Sequence, residues 1–241
     1  MKQRGVVSRP IEPLTALRAI RTLLANPEET ALVFRIIRAL SGQSFERLYQ
    51  RILADPTGSV ILNERRNILP VLQDRDRLRD LAPGTLGREY ARFCDTEGLT
   101  ADGLVEASVE EEDDSVFLDE RARVLSMRLR DTHDLWHVVT GYQRDLFGEG
   151  ALLAFSYAQT GNPGIAFIVV MAAIRRWREG HSDAVRLSWQ AWRRGRRAAS
   201  FVAADWEAML ALPLAEVRRR LCIDEPKEYT PLFSAAAAAA R

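Results

Sequence analysis

Cysteine is nearly absent. Cys94 and Cys222 stand 128 positions apart with no CxxC spacing. Two thiols so placed make neither a disulfide framework nor a cysteine-based zinc cluster, and reduced thiols in a cytoplasmic protein are expected. Long apolar runs are missing too. The longest, Ile165 to Ile174, covers ten residues, whereas a membrane-spanning helix needs about 20. Asn162, Pro163 and Gly164 interrupt the longer apolar stretch that begins at Ala151. These segments therefore read as core helices, and the chain is not expected to span a membrane. The opening MKQRGVVSRPIEP carries neither the apolar centre of a signal peptide nor the long amphipathic run of a transit peptide. Lysine occurs only at Lys2 and Lys227, so the basic residues are almost all Arg, and the formal net charge is +1. That balance gives no global case for nucleic acid as a partner.

What is present is helical periodicity. Leu14, Leu17, Ile20, Leu23 and Leu24 recur at three- and four-residue steps, with Glu12 or Thr15 near the start. Pro27 separates them from a second stripe, Leu32, Val33, Ile36, Ile37 and Leu40. Phe45, Leu48, Tyr49, Ile52 and Leu53 form a third, closed by Asp55-Pro56. Asn63 to Leu81 is charged and holds short turns and one helix. Pro83-Gly84-Thr85 reads as a turn and N-cap for a helix through Tyr90 and Phe93 that ends near Gly98. Glu110 to Asp114 is a solvated acidic loop, and Ala235 to Ala240 a frayed tail. Only Val60 to Leu62 offers a candidate strand. With 47% apolar residues and a length that lets a fold bury roughly 70–75% of its unfolded surface, a large core is within reach. The expectation is an all-α fold, one multi-helix domain over residues 10–232 with a disordered tail at 233–241, built from about nine or ten helices.

Of three histidines, two sit four positions apart in His133-Asp134-Leu135-Trp136-His137. That spacing places both imidazoles on one helical face, about 6 Å apart at their roots, which is half a divalent-metal site. The apolar Leu135, Trp136, Val138 and Val139 bury the helix around the pair. A buried pair without a metal would need other partners for up to four ring nitrogens. Gly141 can end the helix in the left-handed conformation. Glu149 follows His137 by twelve positions; on one continuous helix it would lie roughly 18 Å away along the axis. With Gly141 and Gly148 breaking the chain, a second, antiparallel helix running to Gly161 can return its carboxylate to the site. The spacing thus brings His133, His137 and Glu149 to one site between two antiparallel helices; Asp134 joins them as a predicted ligand only through a family resemblance.

HDLWH, followed by eleven residues and Glu, resembles the HDxxH–x11–E metal motif of the Coq-four family of ubiquinone (coenzyme Q) biosynthesis proteins. GTLGREYARF at Gly84 to Phe93, GEGALLAFSYAQTGNPG at Gly148 to Gly164 and AWRRGRRA at Ala191 to Ala198 agree with it. So do DWEAML and LPLAEVRRRLCIDEP near the end. The resemblance covers roughly residues 10–230. It implies His133, Asp134, His137 and Glu149 as the metal ligands, and metal-dependent removal of the C1 carboxylate from a polyprenylated 4-hydroxybenzoate intermediate, with or without coupled hydroxylation. The alternative it leaves open is a non-catalytic organiser that binds the prenyl lipid and gathers the other ubiquinone biosynthesis enzymes. It also implies a homodimer, peripheral on the inner face of a bacterial plasma membrane. Two imidazoles and two carboxylates suit one Zn²⁺ first, with Fe²⁺ or Mn²⁺ as alternatives. HD-domain phosphohydrolases share the His-Asp doublet but need a further upstream histidine, and none precedes His133. In an HExxH peptidase reading, Asp134 is one methylene short of the general base. A metal-free polar core is the ordinary reading of a lone histidine, but four potential ligands at this spacing argue against it.

Tyr142, Arg144 and Tyr157, close in sequence to the ligands, are the candidate substrate contacts, with Gln159 and Asn162 as further polar neighbours. His181 reads as an exposed turn residue. Arg175, Arg176, Arg178, Arg186, Arg193, Arg194, Arg196 and Arg197 cluster with Trp177, Trp189 and Trp192. Such a segment suits an anionic membrane surface, an anionic substrate group or a plainly solvated face. No recognised nucleic-acid module accompanies the charge.

Overall fold

A computed structural model describes residues 4–7, 10–25, 29–99, 116–181, 183–226 and 229. Pro27, the Glu110 to Asp114 run and the tail from residue 233 lie outside them. Fourteen helices and no strand occur among the described residues. They are α1 (Pro13–Ala25), α2 (Thr30–Ser41), α3 (Ser44–Ala54), α4 (Pro56–Asn63), α5 (Leu69–Gln73), α6 (Arg75–Arg79) and α7 (Leu86–Glu97). Then follow α8 (Glu120–Asp131), α9 (His133–Thr140), α10 (Leu146–Thr160), α11 (Pro163–Arg178), α12 (Asp183–Arg197), α13 (Trp206–Met209) and α14 (Leu214–Arg220). The fold is all-α, as the periodicity predicts. The larger number of helices comes from short ones such as α5, α6 and α13, too brief for an apolar stripe to repeat and dependent on tertiary packing for their stability.

The candidate strand Val60 to Leu62 lies in α4. Its start signal overrides the β-branched residues: the Asp55 carboxylate accepts from Thr57 N at 2.9 Å and Gly58 N at 2.8 Å, with Pro56 at the first helical position. α7 begins after Thr85, but that hydroxyl donates to Ala82 O at 2.7 Å instead of capping the helix.

Two apolar clusters hold the helices. The larger gathers α3, α7, α9, α10 and the segment around Phe201, with Tyr49, Tyr90, Tyr142, Phe155, Phe201 and Trp206 almost wholly buried. Trp136, Phe155, Phe201 and Trp206 meet edge-on at centroid distances of 4.8–6.2 Å. Each large side chain removed from water this way contributes roughly 1.5–3 kcal/mol. The smaller cluster joins α1 and α2 through Ala16, Ala19, Ile20, Leu23, Leu32, Ile36 and Ala39, and Ile168 of α11 closes it. α9 is packed by α7, α8, α10 and α14, so the helix carrying the histidines is fixed from several sides.

Candidate metal centre

α9 opens at His133, and its four-residue step turns His137 to the same side. The two rings lie 5.0 Å apart, nearly perpendicular. Gly141 ends the helix at φ 80°, a conformation that costs other residues a steric penalty. The chain then turns, and α10 starts at Leu146, earlier than a break at Gly148 would allow. Asp145 caps it, accepting from Phe147 N at 3.0 Å and Gly148 N at 3.2 Å. Gly148 is required for a different reason than chain-breaking: a Cβ there would stand 2.0 Å from Gln143 O.

This turn places Glu149, in the first turn of α10, opposite both imidazoles. His137 Nε2 is 3.5 Å from Glu149 Oε1, and His133 Nε2 is 3.8 Å from Glu149 Oε2. One ligand atom from each of the three residues lies within 4.8 Å of the others. Ligands about 2.0–2.2 Å from a tetrahedral ion stand roughly 3.3–3.5 Å from one another, so little movement would be needed to enclose one.

The protonation pattern points the same way. His137 Nδ1 is 2.9 Å from Tyr142 O. A carbonyl only accepts, so Nδ1 carries the hydrogen and Nε2 of the neutral ring presents its lone pair. That atom is buried without a hydrogen-bond partner and faces a carboxylate. Two acceptors face each other there, which calls for a proton or a cation between them. Without a metal, that pairing favours protonation of His137. Burial disfavours a charged His137, but Glu149, joined by the Asp134 charge and the Tyr142 carbonyl, outweighs burial and raises its pKa. Burial likewise opposes ionisation of Glu149, yet His137 and His133 hold its carboxyl well below the usual range. Phe93 of α7 stacks on His137 at 5.5 Å and covers the ring. The donor set thus fits a divalent ion held by His133, His137 and Glu149.

Asp134 is not in that group. One step along α9 turns it about 100° from His133; its charge disfavours ionisation of Tyr90 and Cys94 on α7 and also helps to raise His137. Burial pushes the Cys94 thiol up to about 11, which leaves it unreactive. Arg144 reaches the group, with Nε 3.4 Å from Glu149 Oε1, and is half-buried. Tyr142 contributes through its carbonyl; its buried ring lies against Tyr229 at 5.4 Å and under the Arg194 guanidinium at 4.9 Å. Tyr157, two turns beyond Glu149 and about 12 Å along the axis, is not brought to the centre. Gln159 and Asn162 are structural: Gln159 bridges Gly195 O and Phe201 N, and Asn162 caps α11 and donates to Ser41. His181 is exposed, with its ring 5.6 Å from Phe147. Arg194 sits among surface arginines in the sequence, yet its guanidinium points inward.

Residues 12–227 match the family described as Coenzyme Q (ubiquinone) biosynthesis protein Coq4. The chain belongs to the Coq4 family. The mitochondrial ubiquinone biosynthesis protein COQ4 of Yarrowia lipolytica (strain CLIB 122 / E 150) is 33% identical over 185 residues, 76% of this chain and 67% of that protein. The corresponding protein of Pyrenophora tritici-repentis (strain Pt-1C-BFP) is 32% identical over 195 residues, 78% of this chain and 63% of that one. The chain thus spans about two thirds of the length of these curated relatives. A crystal structure from Nostoc punctiforme PCC 73102, of a protein assigned to ubiquinone biosynthesis, shares the fold. Its TM-score is 0.65 at 24% identity, over 88% of this chain and 98% of that one.

Proposed function

We propose that this Coq4-family chain is a metal-dependent enzyme of ubiquinone biosynthesis that removes the C1 carboxylate of a polyprenylated 4-hydroxybenzoate. The observation that carries the reading is the convergence of His133 Nε2, His137 Nε2 and the Glu149 carboxylate within 4.8 Å, with His137 locked by its Nδ1 contact. A bound divalent ion would supply Lewis-acid stabilisation of negative charge on the substrate oxygens. Two imidazoles and one carboxylate suit Zn²⁺, and equally the open three-ligand arrangement of Fe²⁺ oxygenases, with Mn²⁺ a third candidate. Arg144, beside Glu149 and half-exposed, is placed to bind and orient the substrate carboxylate. In the simple reaction the C1–carboxylate bond breaks, CO₂ leaves, and the electron pair left on C1 takes up a proton. The hydroxylating form instead consumes dioxygen and a reductant.

No helix among the described residues is long and apolar enough to cross a membrane. We place the chain at the membrane periphery, on the inner face of a bacterial plasma membrane. The test is purification without chelators, metal analysis, and assay of a short-chain prenylated substrate with Zn²⁺, Mn²⁺ or Fe²⁺, in air and anaerobically. Turnover with one metal, lost in His137→Ala and Glu149→Ala, supports the enzyme. Lipid binding without turnover under every condition supports the organising role instead.

A further inference from the structure

An α-helix leaves its last four carbonyls without intrahelical donors. In α9 the first of these, His137 O, accepts from Gly141 N at 2.9 Å. The other three are met by guanidinium groups. Arg218 Nη2 donates to Val138 O at 3.2 Å and Arg218 Nε to Val139 O at 2.9 Å, while Arg194 Nη2 donates to Thr140 O at 3.1 Å. Two cations at a helix C-terminus also complement its dipole. The planar fork of Arg218 spans two carbonyls with two separate nitrogens, a rigid geometry that the single ammonium of a lysine does not reproduce.

Both arginines are tied to the chain beyond α14. Arg194 donates as well to Asp224 O, and Arg218 pairs with the Glu225 carboxylate. Pro226 packs over the turn, its Cδ 3.0 Å from where a Cβ on Gly141 would stand. The Tyr229 hydroxyl donates to the Asp145 carboxylate and accepts from Gln143 N at 3.1 Å, with its ring against Tyr142. This brace therefore grips the end of α9 and the turn that carries Tyr142 O, and it touches the cap of α10. Those three points fix where His137 and Glu149 stand relative to each other.

We propose that Arg194, Arg218 and Tyr229 are positioning residues of the metal centre, holding His137 in its Nδ1–H tautomer and Glu149 opposite it. The inference rests on the metal-centre reading above. The wild-type chain is compared with Arg218→Lys, Tyr229→Phe, the double variant, and Ile20→Val, a core change in the remote α1–α2 cluster. Two quantities are measured: the ¹⁵N shifts of His137 in metal-free protein at a pH high enough to leave the ring neutral, and the dissociation constant and visible spectrum of bound Co²⁺. In the double variant the Nδ1–H tautomer gives way to a mixture, Co²⁺ binds at least about tenfold more weakly, and its ligand-field bands shift. Ile20→Val lowers Tm and changes neither quantity. Wild-type His137 shifts in the double variant, with Co²⁺ affinity within about twofold, would overturn the brace. If wild type takes up no Co²⁺, the metal reading fails, and the His137 shifts alone still decide the brace. Should the double variant not fold, Tyr229→Phe, which loses one oxygen and keeps its ring, takes its place in both measurements with the same outcomes expected.

Discussion

At the scale of single residues the centre turns on one nitrogen. His137 Nε2 is buried, unpartnered and aimed at Glu149, so a metal ion binding there competes with protonation of this nitrogen. The pKa of His137 is raised, so this group stabilises the metal-free fold fully below its unfolded value of about 6.5 and loses that contribution as pH rises through the folded value. Glu149 is depressed, so its contribution is present above about 4.3 and is lost as pH falls through the folded value. The metal-free protein should therefore be most favoured by this pair between about pH 4.5 and 6.5. Metal binding, which releases the His137 proton, should strengthen by up to about tenfold per pH unit above that window until His137 titrates. Competition titrations with Zn²⁺ at pH 6, 7 and 8 measure this. In Glu149→Gln the plateau should arrive at lower pH, because the group that raises His137 is gone. An affinity flat from pH 6 to 8 would remove His137 from the ligand set. Asp134 gives a second test. Since it stands outside the group formed by His133, His137 and Glu149, Asp134→Asn should keep the wild-type metal stoichiometry, whereas His133→Ala should lose most of the metal.

At the scale of elements, Asp145 both caps α10 and anchors Tyr229. Loss of an N-cap costs about 1 kcal/mol, which for a chain of this size lowers Tm by roughly 2–4 °C. Asp145→Ala should show at least that fall by calorimetry, along with weaker metal binding than an equally destabilised core variant; Asp145→Asn should recover most of the stability. Legibility in the sequence also divides at this scale. The histidine pair is readable because i and i+4 converge on any helix, and Glu149 because a glycine lets the chain turn back. Gly148 reads as a chain breaker, but what it needs is space beside Gln143 O, which no local pattern records. Arg194 leaves a signal that its arginine neighbours conceal, since it lies three residues after buried Ala191 and seven after half-buried Leu187, on the inward face of α12. Tyr229 leaves none, because its partners Gln143 and Asp145 are over 80 positions away.

At the scale of the whole molecule, α11 and α12 leave an apolar and basic surface. Val170, Ile174 and Trp177 follow one exposed stripe of α11 at steps of four and three. Val185 and Trp189 continue it on α12, and Trp177 and Trp189 are 62% and 56% exposed. Trp189 stacks on Trp192 at 4.8 Å, with Arg196 against the latter ring. Arg175 and Arg176 pair with Glu179, Arg186 pairs with Asp183, and Arg194 turns inward. That leaves Arg178, Arg193, Arg196 and Arg197 exposed. A cation near an anionic bilayer contributes about 1 kcal/mol, so these four suffice for reversible docking, with the indoles at the interface. The surface also adjoins the proposed centre: His181, between the two helices, touches Phe147, two residues before Glu149. A substrate whose prenyl chain stays in the bilayer could offer its headgroup there. The chain is therefore expected to co-sediment with anionic liposomes and to detach as salt shortens the screening length. Arg193, Arg196 and Arg197 changed together to Glu, with Arg194 kept for the brace, should weaken sedimentation at low salt without changing metal content. Trp177→Ala with Trp189→Ala should weaken what remains at high salt. Equal sedimentation with neutral and anionic vesicles, or triple and double variants that both sediment like wild type, would show that this face is not a docking surface.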